Sequence, residues 1–386
     1  MSEQSRPYEV VVFGATGFTG GMTAEYLARN APPDLRWAIA GRSPQKLDAL
    51  QQKLLALAGD GRTIDTLQAS VDDPASLARV AGQTRVLLTT VGPFIDYGEP
   101  VVRACVEQGT DYIDSTGEPA FVQQVIERYG AQAQQRGVRL VSSCGLDSIP
   151  TDLGVLFTLL QLPAGQPLKI AGYLKLHASF SGGTERSAIK VLGSGRPQLA
   201  TETPSAGRRV QLLPGKVERL PELGWVAPLP TIDGPMVLRS AAALDRYGPN
   251  FAYAHHAVHG SLAVVLIVGF VFALLAIAAR VPPLRALMLA AAKKPGQGPT
   301  PEQMAKHWFK LRFIAECAGK SLQTEVAGGD PGYGETSKML AESALCLARD
   351  RARLPASFGA LTPAQAMGEL LLERLQRAGL SFRVIG

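Results

Sequence analysis

Three glycines at equal spacing, in Gly14-Ala15-Thr16-Gly17-Phe18-Thr19-Gly20, put unshielded backbone N–H groups where an anion can be held. Gly14 suits a sharp turn. Gly17 lets the backbone approach a diphosphate, and Gly20 lets a helix pack closely on the preceding strand. The spacing is G-x-x-G-x-x-G rather than G-x-G-x-x-G, so its meaning rests on what flanks it. Further on, Arg42 and Ser43 are followed one helical turn later by Lys46. A guanidinium, a hydroxyl and an ammonium together grip a phosphate monoester, which a carboxylate would repel. An NAD site usually carries an acidic residue here for the ribose 2′-OH. The cationic set instead points to NADP(H), against the plainer alternative of a solvated basic helix start.

The elements needed to position these groups are legible. Tyr8 to Phe13 is a β-branched run that reads as a buried parallel strand, and it runs straight into the glycines. Met22, Tyr26 and Leu27 then recur at helical spacing. A second strand, Arg36 to Ala40, delivers Arg42 and Ser43. A third, Leu67 to Val71, closes on Asp72-Asp73 and places Asp72 beside the adenine. A fourth, Val86 to Val91, closes on Gly92-Pro93 at the expected switch point, next to the nicotinamide half of the cofactor. A helix over Gly98 to Glu107 and strands over Tyr112 to Asp114 and Val138 to Ser142 complete the pattern. Residues 1–150 are therefore expected to form an α/β, NADP-binding Rossmann domain.

Residues 151–325 read as a second α/β domain. Leu168 to Ala178 alternates as a strand does, and Ser179-Phe-Ser-Gly-Gly-Thr184 leads to a helix from about Glu185. That glycine-rich turn either lines a substrate cleft or merely connects. Residues 194–235 read as loops with short strands. Residues 326–386 read as a C-terminal helical segment. There the turn-rich Ala327 to Thr336 feeds an amphipathic helix, Glu335 to Ala348, and a last helix covers Pro363 to Arg377.

Within the second domain, residues 255–294 are expected to associate with a membrane. Leu262 to Ala279 holds eighteen consecutive residues without a charge or a strongly polar group. As a helix it would run about 27 Å, just short of a hydrocarbon core. Pro282-Pro283 break it, and Leu284, Leu287, Met288 and Ala291 continue an apolar stripe to Lys293-Lys294. A single span, a buried core helix and a hairpin dipping into one leaflet compete. The hairpin is favoured, with 262–292 in the membrane surface and the lysines at anionic headgroups. His255, His256 and His259 precede the run. His255 and His259 would share a helical face, but no acid or cysteine sits at matching spacing, so they are read as interfacial and no metal is assigned.

Composition removes other classes. Of 386 residues 46% are hydrophobic and 19% charged, and the net charge of +6 comes without a dense Lys/Arg block. Nucleic acid is therefore a poor partner. Cys105, Cys144, Cys317 and Cys346 are scattered, suggesting neither zinc nor a disulfide framework. The start lacks a secretory signal, and the expected location is the cytoplasmic side of a membrane.

The ordered blocks GATGFTG, AGRSPQKL, TTVGPFIDYGEPVVRAC, DYIDSTGE, SCGLDSIPTDLG and GGDPGYGETSKMLAESALCLA resemble the saccharopine dehydrogenase-like oxidoreductases. The closest resemblance is to the branch that includes trans-acting enoyl reductases. It spans nearly the whole chain and is weakest between 185 and 300. The resemblance implies an NADP(H)-dependent oxidoreductase whose C-terminal helices return to the cofactor domain. It further implies a lipid-like acyl substrate, carrier-bound in that branch, and transfers Gly14 to Gly20 to the diphosphate and Arg42, Ser43 and Lys46 to the 2′-phosphate. Reduction of an enoyl group needs a hydrogen-bond donor for the developing enolate oxygen. Tyr97 and Tyr333 are the candidate catalytic residues, with Ser142-Ser143 also near and Asp147 able to orient a donor. Two other classes remain. A saccharopine-type amino-acid reductase would want converging arginines from Arg186, Arg208, Arg209 and Arg239. A non-catalytic NADPH-binding membrane adaptor would need none.

Overall fold

A computed structural model of the chain describes residues 6–179, 181–194, 199, 204, 207–293 and 296–386. The first six strands are β1 (Tyr8–Phe13), β2 (Trp37–Gly41), β3 (Asp65–Gln68), β4 (Thr84–Thr89), β5 (Asp111–Asp114) and β6 (Arg139–Val141). The helices between them are α1 (Phe18–Asn30), α2 (Pro44–Ala58), α3 (Pro74–Gly82), α4 (Phe94–Tyr97), α5 (Glu99–Gln108) and α6 (Pro119–Gln135). Successive side chains of a strand face opposite ways. Thus Val10 and Val12 enter one core with Leu27 and Met339, while Val11 and Phe13 enter another with Val101 and Phe121. A strand covered on both faces must be apolar throughout, which is why β1 reads as an unbroken run.

The second half contributes α7 (Ile149–Leu160), β7 (Leu168–His177), α8 (Gly182–Ser194), β8 (Arg209–Leu212), β9 (Glu218–Leu220), β10 (Gly224–Pro228), α9 (Asp233–Ala243) and β11 (Asn250–His259). Next come α10 (Leu262–Arg280), α11 (Pro282–Ala291), α12 (Pro301–Met304), β12 (Trp308–Cys317), β13 (Lys320–Gly328) and α13 (Gly334–Arg349). The chain ends with β14 (Gly359–Leu361), α14 (Pro363–Ala366), α15 (Gly368–Arg377) and β15 (Ser381–Val384). Among the described residues the first sheet is wholly parallel, in the order β14-β6-β5-β4-β1-β2-β3. The order reverses between β1 and β4, the switch point of a doubly wound sheet. The second sheet is mixed, β15-β13-β12-β7-β11-β10-β9, with β8 beside β11. Leu153 of α7 and Phe309, Phe313 and Val326 of this sheet share one core with the first sheet and α13.

The C-terminal segment does more than lay helices on the first domain. Its α13, buried along nearly its whole length, lies against α1, β1, β4 and β5, but the segment also gives β14 to the first sheet and β15 to the second. The last helix expected as one is two, parted at Met367, just before Gly368, whose φ is +50°. The third strand ends at Gln68 rather than Val71. The Ser70 hydroxyl accepts from Asp72 N–H and Asp73 caps α3, so local side-chain bonds turn the chain early.

The histidine segment corrects the expected helix: His255, His256 and His259 lie in β11. His255 and His256 are buried rather than interfacial. Burial lowers the pKa of His255 to about 4, so it is neutral.

The apolar run is α10, nineteen residues with a mean hydropathy of 3.1 and 11% of its apolar stretch buried. It is long and apolar enough to cross a membrane by length and composition. Leu266, Ile267, Phe270 and Ile277 are 60–65% exposed, which removes the core-helix reading. A one-way span fails too. β11 before the run and β12 after it both pair with β7, and a bilayer between them would tear one sheet apart. At Val281 the chain breaks and α11 packs back beside α10 and α8, as the proline pair dictates. Gly193 of α8 permits the close approach, since a Cβ there would stand 2.8 Å from the Ala279 carbonyl oxygen. Lys293 pairs with Glu185 at 2.9 Å, and Lys294 lies outside the described residues.

Candidate functional site

Parallel strands bring every βα loop of the first sheet to one edge. Gly14 has a φ of +83°, and a Cβ on it would meet Val91 Cγ2 at 2.6 Å, so only glycine fits this turn. At Gly20 a Cβ would stand 2.4 Å from the Gly14 carbonyl oxygen and 2.6 Å from Thr90 Oγ1. Gly17 caps α1 without any side-chain hydrogen bond, and Thr16 and Gly17 are exposed. The first-turn amides, from Phe18 and Thr19 on, are therefore left for an anion. The residues present fit a diphosphate: the loop leaves a cradle that any side chain would fill.

Arg42 and Lys46 stand exposed at the end of β2, and neither has an ion-pair partner among the described residues. Ser43 caps α2, its hydroxyl accepting from Lys46 N–H at 3.4 Å. All three lie beyond the strand adjacent to the glycine loop, as a 2′-phosphate site requires. Asp72 is exposed in the loop after β3, one strand further out. Gly92 and Pro93 follow β4 across the switch point from the glycine loop.

Beyond the switch point, the loops after β5 and β6 are tied by a buried carboxylate. Asp114 accepts from Thr116 N–H at 2.9 Å, Ser143 N–H at 2.8 Å and Ser142 Oγ at 3.0 Å. Burial outweighs these bonds and raises its pKa to about 6. Ser142 and Ser143 are both buried, and both donate to Asp114, Ser142 through its hydroxyl and Ser143 through its N–H. Glu118 accepts from Phe94 and Ile95 N–H at 2.9 and 3.0 Å and from the Ser187 hydroxyl of α8 at 2.7 Å. It thereby joins α4 to the second domain.

Asp147 sits where these loops meet the second domain. Its carboxylate is open to solvent yet crowded by protein, and Gly117 is so near that a Cβ there would stand 3.0 Å from Asp147 Cγ. That crowding, with repulsion from Asp233 and Glu118, pushes its pKa up to about 7. Asp233, held by the Thr151 and Thr231 hydroxyls, is itself raised to about 6 by burial. No group of three or more His, Cys, Asp or Glu able to hold a metal occurs among the described residues. Asp147 and Asp233 can thus each hold a proton nearer to neutral pH than an ordinary carboxylate. Glu118 and Asp233 were missed in the sequence because nothing in their spacing links them.

The two tyrosines part company. Tyr97, at the end of α4, is 41% exposed, and its hydroxyl has no hydrogen bond among the described residues. Tyr333 is 1% exposed and packs edge-on against Phe18 with ring centroids 4.8 Å apart. Its hydroxyl accepts from Ser181 N–H and lies 3.3 Å from Thr184 Oγ1, so it clamps the start of α8 to the glycine loop. The four arginines do not converge. Arg208 binds carbonyls at 241–248 and Asp245, Arg239 is buried against the Ala360 carbonyl, Arg209 lies in β8 and Arg186 in α8.

Glycine loop, cationic strand end and switch-point cleft define a two-domain, dinucleotide-dependent oxidoreductase. A family model described as the saccharopine dehydrogenase NADP binding domain matches residues 10–141. A Mycobacterium tuberculosis protein, provisionally named a trans-acting enoyl reductase, is 37% identical over 99% of each chain. The human saccharopine dehydrogenase-like oxidoreductase is 31% identical over 100% of this chain and 99% of its own. The solved yeast saccharopine dehydrogenase (L-Glu forming) shares the fold at a TM-score of 0.57, covering 98% of this chain and 100% of that one at 13% identity. The chain belongs to the saccharopine dehydrogenase-like family and is an NADP-dependent oxidoreductase.

Proposed function

We propose that the chain reduces the carbon–carbon double bond of an enoyl group on a lipid-like acyl substrate, carried by a thioester-bearing partner, at the cytoplasmic face of a membrane. The bound nicotinamide supplies the hydride for such a reduction. The chain's own residues do the rest. The loop from Gly14 to Gly20 and the first turn of α1 hold the diphosphate, and Arg42, Ser43 and Lys46 hold the 2′-phosphate. Asp72, Gly92 and Pro93 flank the adenine and nicotinamide ends.

Saturating a double bond also requires a proton. The glycine loop beside the cationic end of β2 is the observation that carries the reading, and Asp147, whose pKa is pushed up to about 7, can hold that proton and release it. Tyr97, exposed at the same edge, can donate a hydrogen bond to a substrate oxygen. The enoyl class is supported by the name of the mycobacterial relative. Seating at a membrane is supported by the outward apolar face of α10, which a water-soluble substrate would not need.

The test is NADPH oxidation by protein on lipid vesicles, supplied with an α,β-unsaturated acyl thioester. One product gaining two hydrogens per NADPH consumed is expected. Turnover only with an imine of an amino acid would move the chain to amino-acid reduction. Tight NADPH binding without oxidation by either substrate would leave it an adaptor.

A further inference from the structure

Ser179 lies two residues beyond the end of β7 and is half-buried. Its Oγ lies 3.3 Å from Nε2 of His307. His307 is 8% exposed, and its Nδ1 lies 2.6 Å from Oδ1 of Asp330. The other oxygen of Asp330 accepts from Tyr333 N–H at 2.8 Å and Gly334 N–H at 2.9 Å, which fixes the carboxylate. With Nδ1–H donated to Asp330, Nε2 is the free acceptor and faces the serine hydroxyl. On its outer side the exposed His177 ring meets the His307 ring edge-on at 5.6 Å. Among the described residues there is room at the start of α8, where a Cβ on Gly183 would meet only Ser181 Oγ at 3.7 Å.

We infer that Ser179, His307 and Asp330 form a hydrolytic triad that cleaves an acyl ester or thioester, a second activity separate from hydride transfer. Roles follow from geometry rather than chain order. Ser179 is only partly buried, and β7 holds the backbone just before it. A serine–imidazole distance of 3.3 Å is usual for a site without substrate. Nothing in the reduction uses this buried histidine.

The chemistry balances without any redox partner. Ser179 Oγ adds to the carbonyl carbon as its proton passes to His307 Nε2. The carbon–sulfur or carbon–oxygen bond breaks, and the leaving thiolate or alkoxide takes that proton, leaving acyl-Ser179. Water then attacks, its proton going to Nε2 and on to Ser179 Oγ as the acid leaves. Ser179 and His307 are the catalytic residues, and Asp330 is a positioning residue that holds the tautomer.

The full chain should react with a fluorophosphonate, with the added mass on Ser179, and should hydrolyse p-nitrophenyl butanoate without NADPH. Ser179→Ala should abolish labelling and lower kcat by on the order of 10⁶-fold, while NADPH still binds. Asp330→Asn should lower kcat with KM kept, and Asp330→Glu should recover part of it. Absent labelling, labelling elsewhere, or hydrolysis unchanged in Ser179→Ala would overturn the triad. Because neither readout involves NADPH, failure here leaves the reductase reading standing, and failure of NADPH oxidation leaves the triad standing.

Discussion

Replacing Leu266, Ile267 and Phe270 of α10 together by serine should release the protein from membranes without unfolding it. These side chains are 64%, 62% and 65% exposed, so they add little to the packing of the fold. Full burial of such a side chain contributes about 1.5–3 kcal/mol. Moving roughly two-thirds of each from water to lipid therefore contributes about 1–2 kcal/mol, or about 3–6 kcal/mol for three. At about 1.4 kcal/mol per tenfold, partition onto vesicles should fall by about two to four orders of magnitude. The assay is co-sedimentation with anionic phospholipid vesicles, alongside NADPH titration and a thermal melt. The triple variant should stay in the supernatant, bind NADPH like the parent and melt within a few degrees of it. If parent and variant sediment alike, or the parent never sediments, α10 is not a membrane seat and some other partner covers it.

Other outcomes follow from the cofactor cradle and the cleft. Arg42→Glu should weaken NADPH by about ten- to a hundredfold, the worth of a charged hydrogen bond, and hardly alter NADH; equal weakening of both in titrations would remove Arg42 from the 2′-phosphate. Gly20→Ala forces the Gly14 carbonyl and Thr90 away and should cost roughly 1–3 kcal/mol of stability together with NADPH binding; a melt unchanged from the parent would show that the loop has slack. Asp147 donates only when protonated, so reductase rate should be level below pH 7 and fall as pH rises through about 7, with Asp147→Asn losing about 10²–10⁴-fold; a flat profile in the parent would exclude it as the proton source. The same shift has a sign for stability. The folded pKa of about 7 lies above the ordinary aspartate value of 3.8, so folding takes up a proton between them and this carboxyl costs stability as pH rises through that window. Asp147→Asn should thus melt higher than the parent at pH 8 and near it at pH 4.

Signals carried within a few residues were readable, and those made by distant segments were not. The glycine loop, the end of β2 and the proline break after α10 each depend on local backbone chemistry, so residue type alone reveals them. The histidine strand misled because β11 is covered on both faces: Tyr253 and His255 on one and Ala254 and His256 on the other are all buried, so no polar–apolar alternation survives. Strands β14 and β15, of three and four residues, are too short for any period to show. Glu118, Asp147 and Asp233 come from three separate segments, as Ser179, His307 and Asp330 do, and only the two sheets bring each set together.

A crystal structure with NADP+ bound tests the account most directly. It should hold the diphosphate on the Gly14–Gly20 turn, the 2′-phosphate among Arg42, Ser43 and Lys46, and the nicotinamide near Asp147, Gly92 and Pro93. A cofactor bound elsewhere, or a nicotinamide turned away from Asp147, would contradict it.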